Sequence, residues 1–329
     1  YAPALDRALA LIDYTNFIHN EQPRLRAAGK LVGLGLVTYV EGTGIGPYEG
    51  ARVTVETSGR VSVASGIGTQ GQGHYTVFAQ VVAEQLGVPV ENIRLVTGDT
   101  AEFYWGAGTF ASRGAVVAGN AIHAASVKVR QKILKRAGEE LEVAEEDLEL
   151  VDGTVRVKGS PGTAIKLGDL AARLNPLRGA VKPGSEPGLE ATDYFGPERG
   201  ATASGVHAMI VEIDPETMQV EIKRYIVVHD CGVVINPMIL EGQIQGGVAQ
   251  GIGNAFYEQL VFDENGQLLN ASFMDYLLPS ADTVPMIETD HVETPSPLNP
   301  LGIKGAGEAG AVPVGPLFAQ AVEDALVDY

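Results

Sequence analysis

Residues 298–310 read Leu-Asn-Pro-Leu-Gly-Ile-Lys-Gly-Ala-Gly-Glu-Ala-Gly and set one carboxylate, Glu308, among glycines and alanines. The nearest other charge in the sequence is Lys304. Neighbours with almost no side chain let the backbone approach a bulky ligand closely. If such a loop is covered, the carboxylate loses water and its pKa rises toward the range useful for a base near neutral pH. The same letters also describe a surface turn with an incidental glutamate.

A second polar loop lies earlier, where Gln70, Gln72 and His74 alternate with Gly71 and Gly73. Gln243 and Gln250 are spaced to share one face of a later helix, with Gly246 and Gly247 between them. Glutamine amides both donate and accept, and glycine lets a flat ligand lie on the backbone. The alternative is glycines for close helix packing and glutamines in solvent. Thr109, Ser112 and Arg113 close a third loop just ahead of a helix. Hydroxyls, backbone N–H groups and an arginine there suit a phosphate, or else a helix cap with a surface arginine.

Two stretches match G-x-G-x-x-G, residues 66–71 and 305–310. The first follows a strand and precedes a helix, the setting a dinucleotide fingerprint needs, but its strand reads as part of a hairpin. The histidines show no metal-ligand spacing and read as structural. Cys231 is the one cysteine, so this chain forms no internal disulfide or iron–sulfur cluster, and it reads as a buried thiol.

The elements that must hold these residues follow from patterning. Residues 1–28 read as mostly helix, 31–40 as a buried strand, and 52–64 as a hairpin about Ser58-Gly59. A helix after His74 stops at Gly87, and residues 93–97 form a strand. A long helix runs from the third loop to about Arg136, with Lys128, Arg130, Lys132, Lys135 and Arg136 near its end, where cations suit the helix dipole. Residues 148–157 form a hairpin about Asp152-Gly153, and 165–174 a short helix. Residues 175–204 are rich in Pro and Gly and read as a crossover. Residues 206–228 form a longer hairpin, and Asn236-Pro237 caps a helix reaching about Leu260. Residues 261–276 suggest a third hairpin about Asn265-Gly266, and Pro316 opens a last helix.

The order hairpin, Gly-rich loop, helix thus occurs twice. We expect an α+β fold of two halves with a ligand at their seam: a lead-in at 1–29, a first half at 30–204 and a second at 205–329. The formal net charge of −18 argues against nucleic acid and anionic membrane as partners. No stretch is long and apolar enough to cross a membrane, and a cytoplasmic setting is expected.

Taken together, Gln70-Gly-Gln-Gly-His74, Gly108-Thr-Phe-Ala-Ser-Arg113, His229-Asp-Cys-Gly232, residues 241–251 and Lys304-Gly-Ala-Gly-Glu-Ala-Gly310 resemble the xanthine oxidase family of molybdenum hydroxylases, notably large subunits like that of aerobic carbon monoxide dehydrogenase. The resemblance spans nearly the whole chain, with the motifs in order. It implies a molybdopterin cofactor, in the cytosine dinucleotide form, whose own sulfur atoms hold molybdenum, so the protein supplies no metal ligand. Residue by residue it places Gln72, Gly73 and Gln250 near metal and pterin, with Gln70, Gly71 and His74 also among the cofactor-binding residues. Thr109, Phe110, Ala111, Ser112 and Arg113 contact the cofactor, as do Lys304 and Gly305, and Cys231, Asn236 and Gln243 line its far part. Glu308 is the general base in oxidation of an aldehyde, N-heterocycle or related small substrate with water-derived oxygen. Partners implied are the N-terminal half of the molybdenum subunit and subunits carrying a 2Fe-2S cluster and FAD. The family's carbon monoxide chemistry needs a cysteine in that other half, so carbon monoxide is not implied as substrate. Alternatives are a non-catalytic cofactor-carrying scaffold and a Rossmann-type nicotinamide dehydrogenase.

Overall fold

The computed structural model describes residues 1–175, 181 and 186–328. Helices α1 (Ala2–Leu11), α2 (Tyr14–Asn16) and α3 (Gln22–Ala27) open the chain and lead into strand β1 (Leu31–Thr43). Strands β2 (Glu49–Val55) and β3 (Val61–Ser65) come next, followed by helix α4 (His74–Leu86) and strand β4 (Ile93–Thr97). A π-helical turn, Gly114–Gly119, runs directly into α5 (Asn120–Leu141). Three short strands, β5 (Leu148–Val151), β6 (Thr154–Val157) and β7 (Ser160–Lys166), precede α6 (Leu167–Arg173) and β8 (Leu189–Phe195). The chain then forms β9 (Ala201–Ile213), β10 (Val220–Asp230), α7 (Pro237–Ile252), β11 (Ile287–His291) and α8 (Val314–Ala325).

Two compact units result, and both mix helices with open sheets. One unit holds Gly44–Ala201 and Pro297–Ile303; the other holds Tyr1–Thr43, Thr202–Ser296 and the chain from Lys304 onward. Both units are discontinuous in sequence: residues 1–43 belong with those from 202 onward, and residues 297–303 with Gly44–Ala201.

In the unit starting at Gly44, the sheet order is β4-β3-β2-β8. The hairpin of β2 and β3 forms as patterned, Val53 opposite Val63. But β3 also pairs in parallel with β4, so β3, α4 and β4 form a parallel crossover around the glycine loop. The expectation that this strand belongs to a hairpin alone is thus corrected: it has two neighbours, and only one was visible as a turn signal. Helix α5 buries Ala121, Ile122, Ala125, Val129, Ile133 and Ala137, a stripe at helical spacing. It ends five residues later than expected, in Glu139-Glu140-Leu141, with Glu142 left-handed at its C-cap. The lysines and arginines therefore lie before the last turn and do not serve its dipole. Strand β8 was read as crossover; it pairs with β2 along its whole length despite its glycine- and proline-rich flanks. Residues 176–180 and 182–185 of that expected crossover lie outside the described residues.

In the other unit, the sheet order is β1-β9-β10-β11. Strands β9 and β10 are hydrophobic on both faces because both faces are covered. Met209, Val211, Tyr225 and Val227 face α7 and α8, while Ala208, Ile210, Ile226 and Val228 meet Ala4, Ala8, Ile12 and Phe17. Residues 1–28 are thus a packed layer of this sheet. Helix α8 lies directly on β1 at two glycines: a Cβ on Gly33 would stand 2.0 Å from the Ala321 carbonyl oxygen, and one on Gly35 2.5 Å from that of Leu317.

The third expected hairpin does not form. Its turn is present, with the Asp263 carboxylate accepting from the N–H groups of Asn265 and Gln267, but the only bridge is Phe262 to Leu268. Beyond it, residues 271–286 run as turns and coil, and Phe273, Met274 and Met286 stand 87, 92 and 90% exposed. Strand β11, which carries charged Glu288 and Asp290, joins β10 in parallel and was not read from the sequence.

Gly33→Ala should lower the free energy of unfolding by about 2–3 kcal/mol, since it overpacks backbone against backbone. Gly315→Ala, in the first turn of α8 where an added Cβ meets nothing, should be neutral or stabilising by about 0.5 kcal/mol. Urea unfolding of both variants checks the pair.

Candidate active site

In the Gly44–Ala201 unit, the two early loops are built around one buried arginine. The Arg113 side chain is wholly buried and makes an ion pair with Glu49, Nη1 to Oε1 2.6 Å. Its nitrogens also donate to the carbonyls of Gly108 (2.6 Å), Ile45 (3.2 Å) and Pro47. The guanidinium lies over the Phe110 ring, 4.9 Å from its centre. Glu49 accepts from the Ala107 N–H as well, at 2.9 Å. The sequence suggested that this arginine could grip a phosphate; its side chain is instead the internal strut of the loop. What the loop can offer a ligand is backbone and hydroxyl. Ala111 and Ser112 both have positive φ, 47° and 50°, a left-handed pair of non-glycine residues of the kind held where a loop's shape matters.

The glutamine loop is tied to the same place. Gln72 Nε2 donates to Thr109 Oγ1 (3.3 Å), and Thr109 Oγ1 donates to the Gly68 carbonyl (2.5 Å). Gln72 Oε1 receives the Gln70 N–H at 2.6 Å. Gln70 and Gly71 are exposed, and a Cβ on Gly71 or Gly108 would meet nothing, so this loop edge is bare backbone. His74 is different. Its ring is buried, stacked on Phe78 at 4.6 Å, and lies where a Cβ on Gly114 would stand, 2.4 Å from Nε2. Burial holds its pKa down to about 4, so it is neutral and structural. Pro297–Ile303 is fixed to the same unit by two asparagines: Asn120 Nδ2 donates to Asn299 Oδ1 (3.2 Å), and Asn299 Nδ2 to the Ile303 carbonyl (2.8 Å).

In the other unit, the structure brings Glu308, Lys304, Gly305, Cys231, Asn236, Gln243 and Gln250 into one folded body. Asn236 caps α7 as patterned, its side chain accepting from the Ile239 N–H at 3.0 Å. Lys304 has a buried carboxylate partner. Its ammonium binds Asp230 at 3.0 Å, with both side chains about nine-tenths buried, and its N–H donates to the Cys231 carbonyl at 2.7 Å. Asp230 also accepts from the N–H groups of Gly232 and Thr294. Burial alone would raise its pKa; the Gly232 N–H, Lys304 and Thr294 outweigh it and hold the carboxyl below its ordinary value. Burial, helped by Asp230, pushes the Cys231 thiol up to about 12, so it is no nucleophile.

Glu308 itself is exposed, on a turn whose backbone is pinned on both sides. The Gly305 N–H donates to buried Thr43 Oγ1 at 2.8 Å, and the Tyr39 hydroxyl donates to the Ala309 carbonyl at 3.1 Å. A Cβ on Gly310 would stand 2.2 Å from the Ile244 carbonyl oxygen, and one on Gly247 2.9 Å from Gly310 Cα. The turn and α7 therefore meet backbone to backbone. Of the helix glycines, Gly247 and Gly251 serve packing, while Gly242 and Gly246 face open space beside half-buried Gln243 and exposed Gln250. The sequence posed close packing and ligand exposure as alternatives for these glycines; packing applies to Gly247, while Gly246 lies on an adjacent, open strip. The desolvation invoked for Glu308 is not supplied by this chain.

Sequence reasoning missed the partners of these groups: Glu49, Tyr39, Thr43 and Asp230. Asp230 stands within a quoted motif, but nothing in the sequence marks the other three. Tyr39 and Thr43 lie on β1 and Glu49 starts β2, distant in sequence from the loops they brace.

A family model, the molybdopterin cofactor-binding domain, matches residues 7–285, and the chain belongs to that family. It is 39% identical to the nicotine 6-hydroxylase large subunit of Paenarthrobacter nicotinovorans, over 100% of this chain and 42% of that subunit. It is 39% identical to the carbon monoxide dehydrogenase large chain of Hydrogenophaga pseudoflava, over 99% of this chain and 42% of that one. Its structure resembles quinoline 2-oxidoreductase from Pseudomonas putida 86 with a TM-score of 0.90 and 37% identity, covering 100% of this chain and 43% of that one. The chain thus spans about two fifths of the length of the relatives it matches. No described helix is long and apolar enough to cross a membrane.

Arg113→Ala would leave Glu49 buried without its cation and should cost about 3–5 kcal/mol of stability, read by chemical denaturation. The buried histidines set an acid limit. Burial holds His74 and His229 at about 4 and His207 at about 3, against about 6.5 when unfolded. The unfolded chain therefore binds protons first as pH falls. Stability should be full above about pH 6.5 and drop by about 2 kcal/mol per histidine by pH 5. Melting temperatures between pH 7.5 and 5 test the sign; a flat profile would mean that these rings are not neutral by burial.

Proposed function

We propose that this chain is the molybdopterin-binding portion of a molybdenum-dependent hydroxylase or dehydrogenase, oxidising an aldehyde, an N-heterocycle or a related small molecule with oxygen drawn from water. The observation that carries the reading is the mounting of Glu308: a carboxylate on a turn of small residues, its backbone anchored on both sides. The alignment of essentially this whole chain with about two fifths of the large subunits of such enzymes supports the same reading.

The residues fit the cofactor. Bare glycine edges at Gly71 and Gly108, the left-handed pair Ala111 and Ser112, and the open strip of Gly242 and Gly246 leave room for a flat polar ligand against backbone. Gln70, Gly71, Gln72, Gly73 and Gln250 would hold its pterin end, with Thr109, Phe110, Ala111, Ser112 and the Arg113 backbone beside it. Gly305, Cys231, Asn236 and Gln243 would line the remainder, a cytosine dinucleotide in this reading. His74 and Lys304, both turned inward, would act by shaping these loops. When bound, the cofactor supplies the two-electron redox chemistry through molybdenum held on its own sulfur atoms.

Glu308 takes the proton from the water-derived oxygen as the substrate carbon is oxidised. An exposed carboxylate is a weak base; it becomes a stronger one when a neighbouring polypeptide and substrate cover it and remove water. The covering partner in this reading is the remainder of the molybdenum subunit, which also shapes the substrate pocket. Electrons then pass to partner subunits carrying a 2Fe-2S cluster and FAD, in a cytoplasmic complex.

In the complex isolated from its native host, elemental mass spectrometry should find stoichiometric molybdenum, and mild acid should release cytidine monophosphate. Glu308→Gln should lower turnover by roughly two or more orders of magnitude with molybdenum content unchanged. Near-normal turnover in that variant would remove Glu308 as the base.

A further inference from the structure

Beneath the Glu308 turn lies a buried polar cluster that the functional reading does not use. Tyr39 on β1, His207 on β9 and Tyr225 and His229 on β10 are all buried. In the β9–β10 register, His207 is opposite Val227, and His229 is opposite Gly205. Residues 207, 225 and 229 therefore share the sheet face that carries Met209, Val211 and Val227, the face covered by α7 and α8. At the end of that face the apolar core gives way to hydrogen-bonding rings. Gly205 makes room for them: a Cβ there would stand 2.6 Å from the Tyr39 ring and 2.8 Å from its hydroxyl.

The Tyr39 hydroxyl has two partners, the Ala309 carbonyl at 3.1 Å and His229 Nδ1 at 2.9 Å. A phenol has one proton. With that proton given to Ala309, His229 must donate to Tyr39 from Nδ1, which fixes its tautomer. His207 bonds Tyr225 in the same way, Nδ1 to hydroxyl 2.9 Å. The backbones of Ala309 and Gly305 also face His207 and His229. Burial raises the Tyr39 pKa far above the ordinary phenol value, so its donor is present at every working pH.

Ala309 follows Glu308 directly. Residues 305–310 have no side chain beyond a methyl group except Glu308 itself, so the turn as a whole is fixed to the rest of the fold through its backbone. Within the turn the Ala311 N–H donates to the Glu308 carbonyl at 2.9 Å, and the side-chain anchor beside Glu308 is the Tyr39 bond to Ala309.

We infer that Tyr39, oriented by His229, is the positioning residue of the Glu308 turn, holding the base at a fixed place through the Ala309 carbonyl. This rests on Glu308 being the base. Tyr39→Phe keeps the ring and removes only the hydroxyl. In the assembled enzyme it should lower kcat about tenfold, as expected for a displaced catalytic group. KM, molybdenum content and the shape of the pH profile should stay unchanged, because Tyr39 neither meets substrate nor titrates. Amide hydrogen exchange across 305–312 should speed up about tenfold while the β9–β10 amides stay protected. Thr43→Val, which removes the anchor at Gly305, gives a second variant with the same exchange signature should Tyr39→Phe assemble poorly.

Glu308→Gln in the same assay separates the two readings. A silent Glu308→Gln beside a Tyr39→Phe with parental kcat and exchange would overturn the positioning role and leave the base standing. An active Glu308→Gln would overturn the base and this inference together. A kcat loss with faster exchange confined to 305–312 supports it.

Discussion

Backbone that belongs to no helix or strand still needs hydrogen-bond partners, and in this protein that need decides what the site loops look like. A ladder satisfies its own N–H and C=O groups; a glycine-rich loop cannot. Two of these loops are closed on a buried charged side chain. Arg113 collects the carbonyls of Ile45, Pro47 and Gly108, with Glu49 balancing its charge. Asp230 collects the N–H groups of Gly232 and Thr294, with Lys304 balancing its charge. A charge buried with a partner and a full set of hydrogen bonds is tolerable, whereas the same charge alone is not. These side chains are conspicuous charged residues near candidate ligand loops, yet they face inward.

This explains where reading the sequence succeeded and where it stopped. The hairpins at 52–64, 148–157 and 206–228 were legible because strand alternation and turn chemistry are local. So were the Asn236 cap and the Gly87 stop. Strand β8, the parallel pairing of β3 with β4, and β11 were not, because each depends on a neighbour distant in sequence. The false hairpin at 261–276 shows the converse. Its Asn-Gly turn formed, but no third strand or helix gave the pair an apolar surface to rest on, and an isolated hairpin is at best marginal.

For the site, residue types marked the candidate loops, but the contacts of individual side chains needed coordinates. A glutamate among glycines can be seen in a sequence; the tyrosine that ties its neighbour's carbonyl cannot. Gly247 and Gly310 illustrate the same limit. In sequence, Gly247 reads as either a ligand-facing or a packing glycine and Gly310 as a loop glycine; the two are the contact at which the turn meets α7.

The bare stretch carrying Phe273, Met274 and Met286 has a consequence for the molecule in solution. A chain with formal charge −18 repels its own copies at low ionic strength. Salt screens that repulsion over about 8–10 Å at ordinary concentrations, and strongly hydrated anions such as sulfate further disfavour exposed apolar surface. The two effects act in the same direction. Taken by itself, this acidic chain is best kept dispersed in dilute buffer, and sulfate drives it to coalesce through the very side chains that its charge holds apart.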